Sequence, residues 1–344
     1  MGCAMRLHAS KRTLILLIAI LCAAAANCIS QELFDGQTKP PENPSRLLQR
    51  AENGDSEAQF RLGLAYERGL GVRRDYAQAA IWYKKAADRG NSGAQNNLGG
   101  LYSRGLGVAQ NDAEAVRWYA RAAAEGHPTG ENNLGSMFAE GRGVSRSDET
   151  AVRWYRKAAA KGYAGAETNL GLMYSTGRGV SFDAQEAIAW YRKALKGGFG
   201  PAEFELGQMY FRGTGVPQDL PEAIRWFRKA AEHGLASAQN QLGFAYARGQ
   251  GVPQDSSQAE KWYRLAAENG SLEGQHNLMN IRASARGGGG DTSTVESVMP
   301  SHLPVATGNL PDQRNPADQD TPDFPFSQEQ AFHARGPGAR SSLP

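Results

Sequence analysis

The sequence predicts an all-α fold: a solenoid of six full helix-turn-helix repeats, each 36 residues long, with a partial repeat capping each end. Three observations carry this expectation. All six tryptophans, Trp82, Trp118, Trp154, Trp190, Trp226 and Trp262, stand 36 residues apart. A Leu-Gly pair keeps the same period at Leu62–Gly63, Leu98–Gly99, Leu134–Gly135, Leu170–Gly171, Leu206–Gly207 and Leu242–Gly243, with an aromatic three residues after each glycine. The third is Gly-x-Gly-Val, beginning at Gly69, Gly105, Gly141, Gly177, Gly213 and Gly249. Its first copy, in RGLGVRRD at 68–75, has the glycines and basic residues of a phosphate-cradling loop. Six evenly spaced copies describe architecture instead, because a phosphate site is needed once.

Residues 1–30 read as a signal peptide. Arg6, Lys11 and Arg12 precede the apolar run LILLIAILCAAAA at 14–26, which is too short to span a bilayer comfortably and gives way to polar sequence. An uncleaved anchor is the alternative. A lipoprotein fits less well, because Asn27 precedes Cys28 where a small residue is expected. All three cysteines, Cys3, Cys22 and Cys28, lie in this segment, so a chain cut after Ser30 has no thiol and cysteine usage adds no support for export. The formal charge of +3 equals the contribution of Arg6, Lys11 and Arg12. The basic character therefore belongs to the leader and is no nucleic-acid footprint. Residues 31–44 read as a linker.

The solenoid is expected over 45–286. SRLLQRAENG at 45–54 matches the end of a second helix, with Arg46 where tryptophan stands elsewhere. In the first full unit Ala58, Gln59, Leu62, Gly63 and Tyr66 share one stripe of an amphipathic first helix. A glycine inside a helix costs about 1 kcal/mol relative to alanine. Its recurrence at Gly63, Gly99, Gly135, Gly171, Gly207 and Gly243 implies close approach by a neighbouring helix. Gly69 then stops the helix as a left-handed C′ residue, and Val72 is the apolar plug of the turn. The second helix opens at Asp75 and its equivalents Asn111, Ser147, Asp183, Asp219 and Asp255, all preferred N-cap residues. Gln78, Glu114, Glu186, Glu222 and Gln258, three residues further on, predict a capping box in five of the six units. Acids at this spacing read as caps rather than general acids or metal ligands. Ala79, Trp82, Tyr83, Ala86 and Ala87 face the core, and flanking cations such as Lys84, Lys85, Lys193 and Lys229 read as solvated residues near a helix C-terminus rather than a nucleic-acid ladder.

At the far end EGQHNLMNIR at 273–282 matches a first helix, but Met279 replaces the glycine and Arg282 the aromatic, so the array should stop there. GGGG at 287–290 opens a tail, 287–344, with eight prolines and seven glycines, the composition of a disordered segment. Its one apolar cluster, DFPFSQEQAF at 323–332, is either a short docking motif or a set of scattered phenylalanines.

The unit A-x-x-x-L-G-x-x-Y-x-x-G-x-G-V-x-x-D-x-x-x-A-x-x-W-Y-x-K-A-A-x-x-G resembles the Sel-one-like repeat, a relative of the tetratricopeptide repeat. The resemblance covers residues 45–282. It implies antiparallel helix pairs stacked into a right-handed superhelix that serves as a scaffold or adaptor. Members include bacterial exported proteins, regulators in the cell envelope and a component of endoplasmic-reticulum quality control. One bacterial branch carries a disulfide in each repeat; this chain lacks those cysteines, so its stability must come from packing.

Opposite the Leu62/Gly63/Tyr66 stripe lie Phe60, Arg61, Leu64, Glu67 and Arg68, the side that lines the concave groove in related superhelices. Down the stack the Arg61 row continues as Asn97, Asn133, Asn169, Glu205, Gln241 and Asn277, and the Phe60 row as Asn96, Asn132, Thr168, Phe204, Asn240 and His276. Side-chain amides carry donors and an acceptor together. The expectation is that Asn97, Asn133 and Asn169 grip the main chain of an extended peptide. Phe60, Leu64, Phe204, Phe211 and Phe244 would supply apolar pockets, and Arg68, Arg104, Arg212 and Arg248 a basic edge. The alternative is that the asparagines bond within or between helices and hold the superhelical twist.

Relatives of this kind are sometimes labelled β-lactamases, but no lysine here has a serine three residues before it. There is no Gly-x-Ser-x-Gly elbow, no His-Glu-x-x-His, no Gly-Lys pair of a P-loop, and Gly-x-Gly-Val never extends to Gly-x-Gly-x-x-Gly. The sequence therefore predicts a non-catalytic scaffold that needs no metal or cofactor, binds a protein or peptide rather than nucleic acid, and spans no membrane once the leader is removed. A periplasmic adaptor and a secreted factor acting on another organism's proteins suit a leader and a groove equally. The sequence names neither the partner nor an oligomeric state.

Overall fold

The computed structural model describes residues 44–286 apart from Gly198. The expected leader, nearly all of the linker and the tail from 287 lie outside the described residues. Among the described residues are fourteen α-helices, one 3-10 turn and no strand. A single helix, α1 (Pro44–Glu52), comes first. Six pairs follow: α2 (Ser56–Arg68) with α3 (Tyr76–Ala87), α4 (Ser92–Arg104) with α5 (Asp112–Ala124), and α6 (Pro128–Glu140) with α7 (Asp148–Ala159). Then come α8 (Ala164–Thr176) with α9 (Ala184–Ala194), α10 (Gly200–Arg212) with α11 (Leu220–Glu232), and α12 (Ala236–Arg248) with α13 (Ser256–Glu268). A last single helix, α14 (Leu272–Arg286), ends the array. Each helix packs on the next along the chain, as a solenoid requires.

Local chemistry sets these boundaries. Gly69 stops α2 at φ 75°, and its N–H and that of Leu70 both donate to the Ala65 carbonyl. This satisfies helix-end acceptors that a right-handed continuation would leave bare. Each second helix is capped at its N-terminus as the residue types predict: Asp75, Asn111, Ser147, Asp183, Asp219 and Asp255 all accept from backbone N–H groups of the first turn.

The capping box is a correction. In all six units the cap residue's own N–H goes to a carbonyl of the preceding helix, as from Asp75 to Tyr66 and from Asn111 to Tyr102, both at 2.9 Å. The turn brings one of the orphan carbonyls of the first helix to that N–H, so the Gln or Glu three residues on is not needed to satisfy it.

The core of each pair is an aromatic residue seated on a glycine. A Cβ at Gly99, Gly135 or Gly207 would lie 2.7–2.8 Å from the ring of Tyr119, Tyr155 or Phe227. Tyr83 does the same at Gly63, Tyr191 at Gly171 and Tyr263 at Gly243. The ring next to each tryptophan, not the indole, is thus the buried centre of the repeat. The indoles sit at the seams. Trp118 belongs to the apolar cluster of the first full repeat, and Trp154, Trp190, Trp226 and Trp262 each pack on the cluster of the repeat before their own. Trp82 belongs to the same apolar cluster as Leu47 and Ala51 of α1.

Outward faces of the indoles carry cations. Lys85, Arg121, Lys157, Lys193 and Lys229 lie 3.9, 4.5, 4.1, 3.6 and 4.4 Å from the rings of Trp82, Trp118, Trp154, Trp190 and Trp226. The flanking basic residues that look merely solvated in the sequence are in part a cation–π cover on buried and half-buried rings. At the C-terminal end Met279, in the glycine position, is 63 % exposed, since no described helix follows to seat an aromatic there.

Candidate partner-binding surface

The far side of the first helices divides into two zones. The inner zone comprises the buried members of the Phe60 and Arg61 rows. Asn132 and Asn133 are 0 % and 2 % exposed, and Asn96, Thr168 and Asn169 are also buried. Their amides bond to one another across the stack. Asn97 donates to the Tyr83 hydroxyl at 3.2 Å and accepts from Asn96 at 3.1 Å. Asn133 donates to Asn96 at 3.0 Å, and Asn169 to Asn132 at 2.9 Å. The ladder breaks at Thr168, whose hydroxyl donates to the Ala164 carbonyl of its own helix, and at Phe204. It resumes where Asn277 donates to Asn240 at 2.9 Å.

This placement corrects the expectation that Asn133, Asn169, Asn96, Asn132 and Thr168 line an open groove. Neighbouring first helices stand close enough for two short amides to span the gap. Each amide supplies the donor its neighbour lacks, so the row closes the seam. Phe204 is likewise fully buried, with its ring 5.6 Å from that of Phe227, and Leu64, Phe211 and Phe244 are buried too. None of these buried residues presents a surface to a peptide.

The outer zone is accessible. Phe60 and Asn97 are half-buried, as is Arg61, which pairs with Glu57 at 3.0 Å. Arg68, Arg104, Arg212 and Arg248 are exposed at the C-terminal ends of their helices, where a cation complements the helix dipole. Arg104 also donates to the Gly100 carbonyl at 3.1 Å and reaches Glu67 of the preceding repeat at 3.5 Å. In the two central repeats the edge changes character, to Glu140 and Thr176. Desolvation pushes the Glu140 carboxyl up despite the Arg142 guanidinium 3.6 Å away.

Two features of the seams escape a reading by periodicity. The second glycine of Gly-x-Gly-Val abuts the start of the second helix in the preceding repeat. A Cβ at Gly251 would lie 2.7 Å from the Leu220 backbone, and Gly107, Gly143 and Gly179 meet the backbone at Tyr76, Asp112 and Asp148. In the third and fourth repeats the intervening residue is arginine. Arg142 grips Asp112 through two nitrogens, at 2.7 and 3.2 Å, and also the Ser103 carbonyl at 3.0 Å. Arg178 holds Asp148 and the Ala139 carbonyl in the same way. The clue is an arginine exactly thirty residues after an acid at the first helical position, in these two units only.

Among the described residues no group of three His, Cys, Asp or Glu side chains could hold a metal ion, and no helix is long and apolar enough to cross a membrane. Comparison with known proteins agrees with the architecture. The sequence profile described as Sel1 repeat matches six windows: 56–91, 92–127, 128–163, 164–199, 200–235 and 236–271. A crystal structure of a Sel1 repeat protein from Oxalobacter formigenes is 33 % identical with a TM-score of 0.59, over 65 % of this chain and 87 % of that one. A protective antigen present in uropathogenic Escherichia coli strains, with an SLR fold, is 36 % identical with a TM-score of 0.47, over 72 % of this chain and 60 % of that one. A curated relative, DAP3-binding cell death enhancer 1 of Rattus norvegicus, is 51 % identical over 37 residues, which is 11 % of this chain and 7 % of that protein.

Proposed function

The chain belongs to the Sel1 repeat family, and on that premise we propose that it is a non-catalytic scaffold of the bacterial cell envelope. Residues 1–30 would direct its export, and a protein or peptide partner would dock along the first-helix edge of the solenoid. Sel1 repeats generally serve as protein–protein interaction scaffolds. One observation carries the docking site: amides on the inner rows are committed to neighbouring helices, while Arg68, Arg104, Arg212 and Arg248 remain exposed along one edge. Guanidinium groups so placed favour partners bearing carboxylates, and they steer encounter as well as add contacts. Half-buried Phe60 offers an apolar contact beside that edge.

The test is a capture experiment from fractionated cells. Replacing Arg68, Arg104, Arg212 and Arg248 together by glutamine should abolish capture of the partner while the melting temperature changes little, because exposed ion pairs such as Arg104–Glu67 contribute little to stability. An unchanged set of captured proteins would sink the docking site. Recovery of the chain from the medium rather than the periplasm would favour the secreted reading. Hydrolysis of nitrocefin by a clean preparation, lost on a single substitution, would overturn the non-catalytic one.

A further inference from the structure

Gln59 and its equivalents form a second buried polar row, where each first helix meets the end of the preceding second helix. Three of the six are glutamines, and each donates Nε2 to the carbonyl eight residues before it. Gln59 reaches Ala51 at 2.8 Å, Gln95 reaches Ala87 at 3.2 Å, and Gln239 reaches Ala231 at 3.1 Å. The three central repeats carry Glu131, Glu167 and Glu203 at this position, all equally buried. An ionised carboxylate has no hydrogen to offer the carbonyl and needs a counter-charge instead.

Two of the acids have a side-chain nitrogen in contact. Lys161 lies 2.7 Å from Glu131 and also donates to the Gly126 carbonyl at 2.7 Å. His233 Nδ1 lies 2.8 Å from Glu203. Lysine and histidine occupy the same place in their repeats, thirty residues after the acid. In the fourth repeat that place falls to Gly197, within the 3-10 turn Leu195–Gly197 that ends α9. Glu167 is the only charged residue of α8. Its facing charges are Lys193 of α9 and Lys196 of the turn, and burial pushes its carboxyl up in spite of both.

We infer that Glu167 is an acid-responsive clasp between α7 and α8: protonated, it gives the Ala159 carbonyl the donor that glutamine gives elsewhere, and ionised, it cannot. The sign follows from linkage. A carboxyl raised in the folded chain contributes stability that is fully present below its unfolded pKa and is lost as pH rises through its folded value. Acidification from neutrality therefore tightens this seam. Asp148 responds in the opposite sense. Burial pulls its carboxyl up, but the Arg178 and Arg146 guanidiniums together outweigh that and leave it below the usual range. The whole-chain pH profile mixes both signs, so the test must be a difference between variants.

In the full chain, Glu167→Gln should melt about 2–4 °C above the natural protein at pH 8. That gap should close as pH falls toward the glutamate range. Glu131→Gln is the counter-test: it removes the counter-charge of Lys161 and should lower the melting temperature at pH 8. A gain from Glu167→Gln that is the same at pH 8 and pH 5, or a loss at pH 8, overturns the inference. Neither result bears on partner capture by the arginine edge.

Discussion

Asn133 holds two helices at once: it donates to Asn96 on α4 and lies beside Asn132 on its own helix, with both neighbours buried. Truncation to alanine would leave the Asn96 oxygen without its donor. A buried polar group orphaned in this way costs about 1–3 kcal/mol. Asn133→Ala should therefore lower the melting temperature followed by circular dichroism, and partner capture should be unchanged. A variant that melts with the natural chain would mean the ladder carries no stability. This residue also shows how far composition reaches. Polar residues repeated on one helical row read equally as a groove and as a seam. Only the distance between adjacent first helices, a tertiary quantity, decides which.

The turn between helices is the element whose chemistry is most exposed in the sequence. Both glycines of Gly-x-Gly-Val have positive φ, but for different ends. Gly69 and its equivalents stop a helix, whereas Gly107 and its equivalents also admit the backbone of the preceding repeat. A comparison of two alanine substitutions separates backbone strain from crowding. Gly162 has φ 76° and nothing within 4 Å of an added Cβ, so Gly162→Ala should cost only the left-handed penalty, about 1–2 kcal/mol. Gly107→Ala, at φ 69°, would also drive its Cβ into the Tyr76–Ala77 backbone and should cost clearly more in a urea titration. Equal losses would show that the two repeats are not in backbone contact there. The helix stops and N-caps were legible because they rest on neighbours in sequence. The second arm of the cap was not, since the carbonyl that takes its place belongs to the preceding helix.

Taken whole, the molecule is a chain of seams, and each seam is made of parts that recur. Removing one unit, residues 128–163, should leave a folded solenoid. Arg178 would then face Asp112 as Arg142 does now, and Asn169 would face Asn96 as Asn133 does. Nearest-neighbour stability predicts a shorter array with unchanged helicity per residue and a lower melting temperature. An aggregated or unfolded product would mean that the repeats are not interchangeable and that contacts reach beyond neighbours. By itself the sequence determined the period, the helix pairs, their caps and stops, and the glycine in each first helix, because all of these follow from residue spacing along one helix or one turn. Tertiary structure alone decided that the tyrosine row rather than the tryptophan row fills the centre of each repeat. It alone showed that the indoles belong to the seams, that the asparagines bridge helices, and that two arginines tie the central repeats together. These are matters of which surface meets which across a gap of one helix diameter, and a one-dimensional period carries no information about that gap.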